Sequence, residues 1–271
     1  MLRLGWFSTG HGEGSRGLLR LVHDQIASGE LPASIQFVFC NRDPGEDEGG
    51  DQFQTLVRSY GVPLVTFSSQ RYRRQQGAKT FEQVRADYDQ EVIKRLEGFQ
   101  PDLVVLAGYM LFTAAEMCHK FTMINLHPAP PGGPVGTWQA VIWQLIGEQA
   151  KEAGAQIQRA TMDWDRGPVL TYCTFPIRGQ GFDRLWEQAA GRSVDELKAA
   201  HGEELPLFQR IREEGVKREQ PLLVETIRAF ALGKVKVTGR QVTDAQGQPI
   251  SAYCLNDEIE GWLRRKAGGA G

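Results

Sequence analysis

Asn125 and His127 are the first candidates for chemistry in this chain. They lie two residues apart in FTMINLHP (residues 121–128), which has the composition of a short strand stopped by Pro128. Since alternate residues of a strand point to the same side, both side chains should project together. An amide beside an imidazole can stabilise an oxyanion and move a proton. The alternative interpretation is a structural histidine that precedes a turn.

A carboxylate, Asp165, stands in the segment DRGP at residues 165–168. Ordinary turns also use Asp, Gly and Pro, so the segment by itself indicates only a connection between two strands. If this turn faces His127 across a cleft, the carboxylate can orient or protonate the imidazole.

A glycine-rich turn at residues 10–16 follows a strand pattern and precedes a helical pattern. Glycines there would let a phosphate approach the backbone N–H groups of Gly14, Ser15 and Arg16 at the helix N-terminus, with Arg16 adding a mobile positive charge. The turn lacks the Gly-Lys-Ser/Thr ending of a nucleoside-triphosphate loop and does not fit GxGxxG in register. A tight turn without a ligand is the alternative.

Strands and helices must position these residues, and their patterns alternate up to about residue 178. This alternation predicts an α/β fold with a doubly wound, mostly parallel sheet, and a first domain at residues 1–178. Residues 179–271 are predicted to form a C-terminal extension packed on that core. Its expected parts are helices over 182–200 and 206–232, a hairpin or two short strands over 234–255, and a terminal helix.

Shorter patterns give local expectations within the core. Residues 68–79 are rich in Arg and Lys and are predicted to form a basic loop. A helical stripe covers residues 81–99, with Thr80 as the N-cap and Gln83 completing a capping box. The continuous apolar run at 101–110 predicts a strand buried on both faces.

Composition excludes several classes of protein. The 31 Lys and Arg against 33 Asp and Glu give a formal charge of −2, which argues against a generally basic nucleic-acid binder. The four cysteines lack CxxC or CxH spacing, so free buried thiols are expected in place of zinc or disulfides. No apolar run approaches the roughly 20 residues of a membrane span. We expect a cytoplasmic protein with small-molecule substrates, and no metal, nucleic acid or membrane partner.

Five stretches, in this order, resemble the formyltransferase family that uses 10-formyltetrahydrofolate. They are residues 12–15 (GEGS), 39–42 (FCNR), 101–110 (PDLVVLAGYM), 124–128 (INLHP) and 165–170 (DRGPVL). The ordered combination of LVVLAGYM, INLHP and DxGPV makes the resemblance specific, and a weaker match resumes near Pro221.

The resemblance implies the roles of the candidate residues. The family's catalytic trio corresponds to Asn125, His127 and Asp165, and its phosphate-binding turn to Gly14, Ser15 and Arg16. The folate-binding residues it implies are Gly108, Tyr109, Met110, Leu111, Phe112, Thr113, Asp163 and Trp164. The implied reaction moves a formyl group from 10-formyltetrahydrofolate, without a metal, to the amine of a phosphorylated acceptor. The acceptor expected from the branch that this chain resembles most is glycinamide ribonucleotide of purine biosynthesis, and a homodimer is one expected arrangement.

The chain departs from the family pattern at several places. A shorter loop at 129–136 follows the His-Pro pair, Gln158 stands where the family usually has His, and about 25 residues near 180–205 are inserted. The family residue that engages the acceptor amine is a Glu on the late helix, where this chain has Val216. Glu213 or Glu214 could replace it if the helix is rotated or shifted, since residues three apart share a helix face; Glu219 is also near.

Other functions remain open at this stage. Within the family they are a formyltetrahydrofolate deformylase, which usually carries an N-terminal sensing domain, and formyltransferases for sugar nucleotides or methionyl-tRNA. The chain starts at the first strand and residues 179–271 are not markedly basic, which argues against the deformylase and the tRNA enzyme. A non-catalytic folate- or nucleotide-binding relative is the alternative outside enzymes, and the intact trio argues against it.

Overall fold

The computed structural model describes residues 1–162, 166–179, 181–238 and 241–268. The strands are β1 (Leu2–Ser8), β2 (Ala33–Cys40), β3 (Leu64–Thr66), β4 (Leu103–Leu106), β5 (Met123–His127), β6 (Glu152–Arg159), β7 (Val169–Pro176), β8 (Val235–Thr238), β9 (Gln241–Asp244) and β10 (Tyr253–Cys254). Eight of them form one sheet in the order β10-β7-β6-β5-β4-β1-β2-β3, and β8 pairs with β9 in a separate antiparallel hairpin. In the main sheet, β6 and β7 pair antiparallel, whereas β1–β2, β1–β4, β2–β3, β4–β5 and β7–β10 are parallel. The predicted mostly parallel α/β sheet is thus confirmed.

Ten α-helices flank these strands in the described part of the chain. They are α1 (Glu13–Ala27), α2 (Glu48–Ser59), α3 (Ser69–Gln75), α4 (Arg85–Arg95), α5 (Ala115–Lys120), α6 (Trp138–Gly147), α7 (Asp183–Ala189), α8 (Val194–His201), α9 (Pro206–Ala231) and α10 (Asn256–Gly268). Two 3₁₀ helices, Phe81–Val84 and Gly202–Glu204, complete the set. None of the helices among the described residues is long and apolar enough to cross a membrane.

Two local predictions were wrong, and a third is confirmed with one difference. The basic loop at 68–79 contains α3, whose N-cap Ser68 accepts a hydrogen bond from the backbone of Arg71; an exposed polar helix has no apolar stripe to reveal it. The helix predicted over 182–200 is two helices, separated near Gly191, which has a φ of +74°. The predicted capping box of Thr80 and Gln83 is present, but it opens a 3₁₀ turn ahead of α4.

The end of the chain also differs from expectation in two ways. The short strand β10 pairs with β7 of the main sheet, outside the predicted hairpin, and two residues are too few to show a strand period. Cys254 on this strand is exposed, whereas Cys40, Cys118 and Cys173 are buried as expected. All four thiols are free.

The chain forms two compact units, each assembled from separated segments. Unit 1 comprises Met1–Asn125, Arg159–Gly167 and Ile227–Lys234, and unit 2 comprises Leu126–Gln158, Pro168–Thr226 and Val235–Gly271. A domain boundary at residue 178 stays a sequence-based prediction.

Each unit has its own hydrophobic core. In unit 1, aromatic side chains from β1, β2 and α4 pack together, including Phe7, Phe37, Phe39 and Tyr88, all without exposed surface. In unit 2, α6 packs on the first turns of α9, where the ring centre of Trp143 lies 4.9 Å from that of the fully buried Phe208, with the two rings tilted by 39°. Burying a large apolar side chain stabilises a fold by about 1.5–3 kcal/mol. Each core therefore stabilises the strands and helices of its own unit.

Candidate active site

In unit 1, the carboxyl ends of β1 and β4 lie at one edge of the sheet beside Asn125 of β5, because these parallel strands pair in the order β5-β4-β1. The glycine-rich turn follows β1, the segment 108–113 follows β4, and Asn125 lies on β5 opposite Leu106. Ligands of open α/β sheets bind at such an edge. The structure therefore brings together three of the predicted site segments.

Two hydrogen bonds connect the turn after β1 to the segment after β4. The N–H of Thr9 donates to the carbonyl of Gly108 at 3.1 Å, and the N–H of Met110 donates to Thr9 Oγ1 at 3.1 Å. Gly10 has a φ of +73°, and a Cβ there would lie 2.9 Å from the Phe53 side chain. The backbone conformation of the turn and its packing on Phe53 therefore explain glycine at position 10 without a ligand.

The N-terminus of α1 has no side-chain cap. Gly12 is the N-cap and provides no side-chain cap, and its carbonyl accepts long hydrogen bonds from the N–H groups of Ser15 (3.2 Å) and Arg16 (3.4 Å). A Cβ added to Gly12 or Gly14 would meet nothing within 4 Å. These two glycines leave space at the positive end of the helix, as an anion site requires.

Arg16 is held in place in this structure, unlike the mobile charge that the sequence predicts. Its side chain is only 13% exposed, and its guanidinium contacts Glu13 Oε2 at 3.0 Å and donates to the carbonyl of Gly49. The hydrogen bonds from Arg16 and Arg20 lower the pKa of the Glu13 carboxyl. A Cβ at Gly49 would lie 2.2 Å from the carbonyl oxygen of His11, so the start of α2 packs directly on the turn.

The segment 108–113 exposes two apolar side chains. Gly108 has a φ of +66°, and a Cβ there would lie 2.3 Å from Ser15 Oγ, so this glycine permits the close approach of α1. Tyr109 is buried in the core, whereas Met110 and Phe112 are 71% and 44% exposed. Alternating buried and exposed residues present an apolar surface at the carboxyl edge of the sheet, suited to a flat aromatic ligand.

A buried carboxylate anchors the end of this segment. The N–H of Ala114 donates to Asp89 Oδ2 at 2.6 Å, and Thr113 Oγ1 lies 3.3 Å from Cys118 Sγ. Asp89 is fully buried on α4, and burial raises the pKa of its carboxyl to about 7. Sequence reasoning missed Asp89; its only signal is an acidic residue three positions before the apolar Val92 on a helical stripe.

His127 lies at the end of β5, in the part of that strand that belongs to unit 2, and two residues after Asn125. Its ring is buried, and Nε2 lies 2.8 Å from the carbonyl oxygen of Pro134. A carbonyl oxygen can only accept, so Nε2 carries the hydrogen.

The loop after His127 is shaped by two glycines. The N–H of Gly133 donates to the carbonyl of Pro130 at 2.9 Å and closes a turn. Gly154 on β6 allows Pro130 to pack on the strand, since a Cβ there would lie 3.1 Å from that proline and 2.4 Å from a neighbouring carbonyl. This packing places the Pro134 carbonyl beside His127. The spacing of residues in the sequence did not predict this contact.

Three predicted site residues, Asp163, Trp164 and Asp165, lie outside the described residues. Beside them, Gly167 is required sterically, because a Cβ there would lie 1.7 Å from the carbonyl oxygen of Arg159. Gln158, which stands where the family usually has His, is buried on β6.

The two acidic residues expected to engage an acceptor amine are already paired on α9. The Glu214 carboxylate lies 2.8 Å from both Lys217 Nζ and Arg218 Nη1 and 3.1 Å from Arg210, and it is 14% exposed. Glu213 is exposed and lies 3.6 Å from Arg210. Each of these two carboxylates therefore already has at least one cationic partner.

Glu219, farther along α9, lies in a more enclosed position. It lines a small cavity of about 20 Å³ with Pro128, Trp138 and Arg212, among others. Glu219 Oε1 lies 2.6 Å from Arg212 Nη1, and the Arg212 guanidinium lies 4.5 Å from the centre of the Trp138 ring. The spacing of seven residues between Arg212 and Glu219, two turns of a helix, is the signal by which the sequence could have singled out this pair.

No group of three or more His, Cys, Asp and Glu side chains in the described ranges of the chain is arranged to hold a metal ion.

Comparison with known proteins places the chain in a family. The family described as "Formyl transferase" matches residues 11–181. A phosphoribosylglycinamide formyltransferase from Dictyostelium discoideum is 28% identical over 171 residues, which cover 59% of this chain and 78% of that protein.

Solved structures show the same fold. The phosphoribosylglycinamide formyltransferase of Coxiella burnetii superposes with a TM-score of 0.62 at 19% identity, over 93% of this chain and 98% of that one. A formyltetrahydrofolate deformylase from Pseudomonas syringae gives 0.57 at 18% identity, over 90% of this chain and 65% of that one. At these identities the likeness concerns the fold alone. The family match covers well over half of the chain, so this protein is an enzyme of the formyl transferase family.

Proposed function

We propose that this enzyme transfers the formyl group of 10-formyltetrahydrofolate to the amine of glycinamide ribonucleotide. The observation that carries the proposal is the end of β5, where an amide, Asn125, precedes by two residues an imidazole whose Nε2–H is fixed on the Pro134 carbonyl. The match to the formyl transferase family supports the reaction type. Both substrates are small molecules, and the relatives named for phosphoribosylglycinamide support the choice of acceptor.

The reaction needs one attack and one proton transfer. The acceptor amine attacks the formyl carbon, and an oxyanion develops on the formyl oxygen. Asn125 donates a hydrogen bond to this oxygen, a type of contact whose loss costs about 3–4 kcal/mol at comparable sites. The C–N bond to N10 then breaks, and the proton lost by the amine goes to N10.

His127 moves this proton in the proposed mechanism. The imidazole takes the proton from the amine and passes it to the leaving nitrogen. The charged ring also stabilises the neighbouring oxyanion. We assign Asp165 to orienting the imidazole and favouring its charged form, as a nearby carboxylate does.

The donor is assigned to the segment 108–113. The exposed Met110 and Phe112 offer an apolar surface for the pterin ring, and Arg85, 5.9 Å from the Phe112 ring, adds a positive charge at its margin. The remaining donor contacts are assigned to Asp163 and Trp164 from the family resemblance.

The acceptor phosphate is assigned to the N-terminus of α1. The open positions at Gly12 and Gly14 support this assignment. The acceptor amine is assigned to Glu219, in preference to Glu213 or Glu214, because Glu219 is paired with one cation, Arg212, whereas Glu214 is paired with three and Glu213 is exposed on the surface. Glu219 is half-enclosed beside Pro128, the residue after His127.

Turnover of the donor tests the function. Purified enzyme with 10-formyltetrahydrofolate should consume the donor only when glycinamide ribonucleotide is added. Equal consumption in buffer alone would identify a deformylase, and consumption that needs another amine would keep the reaction but change the acceptor.

Substitution at α9 tests the acceptor site. Glu219→Gln should raise the KM for glycinamide ribonucleotide about tenfold or more and leave the KM for the donor unchanged, since one charged hydrogen bond contributes about 1.5–3 kcal/mol. Glu213→Gln is the matched control on the same helix and should leave both values unchanged. If Glu213→Gln raised the KM for glycinamide ribonucleotide and Glu219→Gln did not, the amine would be assigned to Glu213.

A further inference from the structure

A second cavity lies in unit 2, in the inserted part of the chain. It has a volume of about 220 Å³ and is enclosed by the end of α6, the chain before and within α7, and the start of α8. The lining residues are Ile146, Gly147, Gln149, Arg178, Trp186, Ala189, Ala190, Gly191, Arg192, Ser193, Val194 and Leu197. None of them belongs to the proposed active site, so the formyl transfer reaction leaves this cavity unexplained.

The only charged residues in the lining are two arginines, Arg178 and Arg192. Arg178 donates to the carbonyls of Ala150 and Gln149 through Nε and Nη2, and Arg192 donates to His201 Nε2 and to the carbonyl of Glu196. Among the residues that the structure describes, neither guanidinium forms a salt bridge with a carboxylate. Neither guanidinium in the wall of this cavity is therefore in direct contact with a carboxylate in the described part of the chain.

The two arginines are not equivalent. The Arg178 guanidinium lies 3.6 Å from the centre of the Trp186 ring and is half-buried, so its position is fixed. Arg192 is exposed, and it lowers the pKa of the nearby Glu196 carboxyl, although the hydrogen bonds from Ser193 to that carboxylate lower it more. Arg178 is thus the stronger candidate for binding an anion, and Arg192 the weaker one.

The rest of the wall is apolar. Trp186, Ala189 and Leu197 are buried side chains that face this cavity, and Ile146 and Val194 complete an aliphatic surface. The volume is about half as large again as the roughly 150 Å³ cavity that holds benzene in an engineered protein. A ligand that fits must carry a compact apolar body and a negative charge.

We propose that this cavity binds a small carboxylate with an aromatic or branched aliphatic body, at a site separate from the formyl transfer centre. The carboxylate accepts from the N–H groups of Arg178 that remain after its hydrogen bonds to the Ala150 and Gln149 carbonyls, because a guanidinium forms charge-assisted hydrogen bonds with carboxylates. The body of the ligand packs on Ala189, Val194 and Leu197. The proposal does not depend on the identity of the formyl acceptor.

Benzoate is the probe, and the indole N–H of Trp186 is the reporter. This N–H donates to the carbonyl of Ile177 and gives one of six tryptophan indole signals in a ¹H–¹⁵N spectrum, assigned with Trp186→Phe. Titration of the full chain with benzoate should shift this signal in a saturable way. Benzyl alcohol, of similar shape but neutral, should bind at least about tenfold more weakly, as expected for the loss of a charge-assisted hydrogen bond.

Variants separate the site from the rest of the surface. Arg178→Gln should weaken benzoate binding about tenfold or more, and Arg192→Gln by a smaller factor. Arg184→Gln, an exposed arginine on α7 outside the cavity lining, should bind as the parent does. Ala190→Leu at the exposed mouth should block binding without touching either arginine, which keeps the test valid if Arg178→Gln does not fold.

Two results would overturn the proposal. One is benzyl alcohol binding as tightly as benzoate. The other is benzoate binding that persists in Arg178→Gln and in Ala190→Leu, or that is absent from the parent enzyme at millimolar concentrations.

Discussion

At the scale of single residues, the carbonyl of Pro134 holds the His127 ring. It accepts a hydrogen bond from Nε2 at 2.8 Å, so Nε2 carries the hydrogen. The sequence predicted the importance of His127 from its place beside Asn125, but not this tautomer, because Pro134 reaches the ring only through the packing of Pro130 on Gly154.

The proposed pairing of His127 with Asp165 predicts non-additive substitutions. His127→Ala and Asp165→Ala should each lower kcat by orders of magnitude while donor binding persists. The double variant should cost little more than either change, since residues that act as a unit lose their effect together. Steady-state kinetics of the three variants measures this, and fully additive losses would show that Asp165 works independently of His127.

Asp89 predicts a pH dependence of stability. Burial raises the pKa of its carboxyl from 3.8 to about 7, so between these values the folded chain binds a proton that the unfolded chain has released. Stability should therefore fall as the pH rises through this range, by about 2–3 kcal/mol between roughly pH 5 and pH 7.5 from this group alone. Asp89→Asn removes this loss, because the amide stays neutral and still accepts the Ala114 N–H.

Urea unfolding at the two pH values measures the effect. The control is Asp87→Asn, an exposed aspartate on the same helix, which should keep the pH dependence of the parent. Parallel pH profiles for the parent and Asp89→Asn would contradict a buried carboxyl with a raised pKa.

At the scale of elements, long periodic segments were predictable and short ones were not. The strand β5 and the helix α1 follow from apolar patterns bounded by Pro128 and by the glycine-rich turn. The helices α3 and α5 have seven and six residues and no apolar stripe long enough to show a period, and their stability comes from caps and packing. The sequence likewise pointed to Glu213, Glu214 and Glu219 on α9 but did not predict their ion pairs. These pairs depend on how the helix is rotated.

The N-terminus of α1 predicts a selective loss of acceptor binding. Gly14→Val should raise the KM for glycinamide ribonucleotide far more than the KM for the donor, because a side chain would fill the space in which the phosphate is expected. Gly29→Val is no suitable comparison, since Gly29 has a φ of +77°; Ser28→Ala at the other end of α1 is the control. An equal rise in both KM values would contradict the assignment of the acceptor phosphate to this turn.

At the scale of the whole molecule, the order of the motifs along the chain was the most informative property of the sequence. It indicated the family and the mostly parallel sheet, both confirmed by the structure and the family match. The course of the inserted segment was not predictable, because its two short helices depend on Trp186 and Leu197 packing in unit 2. The cavity beside them is a product of this packing.

The central claim is that the formyl carbon of 10-formyltetrahydrofolate ends on the amine of glycinamide ribonucleotide. Incubation of the enzyme with donor labelled with ¹³C in the formyl group, followed by ¹³C spectroscopy of the products, tests it most directly. We predict a formamide signal on the ribonucleotide that grows with turnover and is lost in Asn125→Ala and His127→Ala. A signal of free formate in its place, at the same rate with and without the ribonucleotide, would contradict the account.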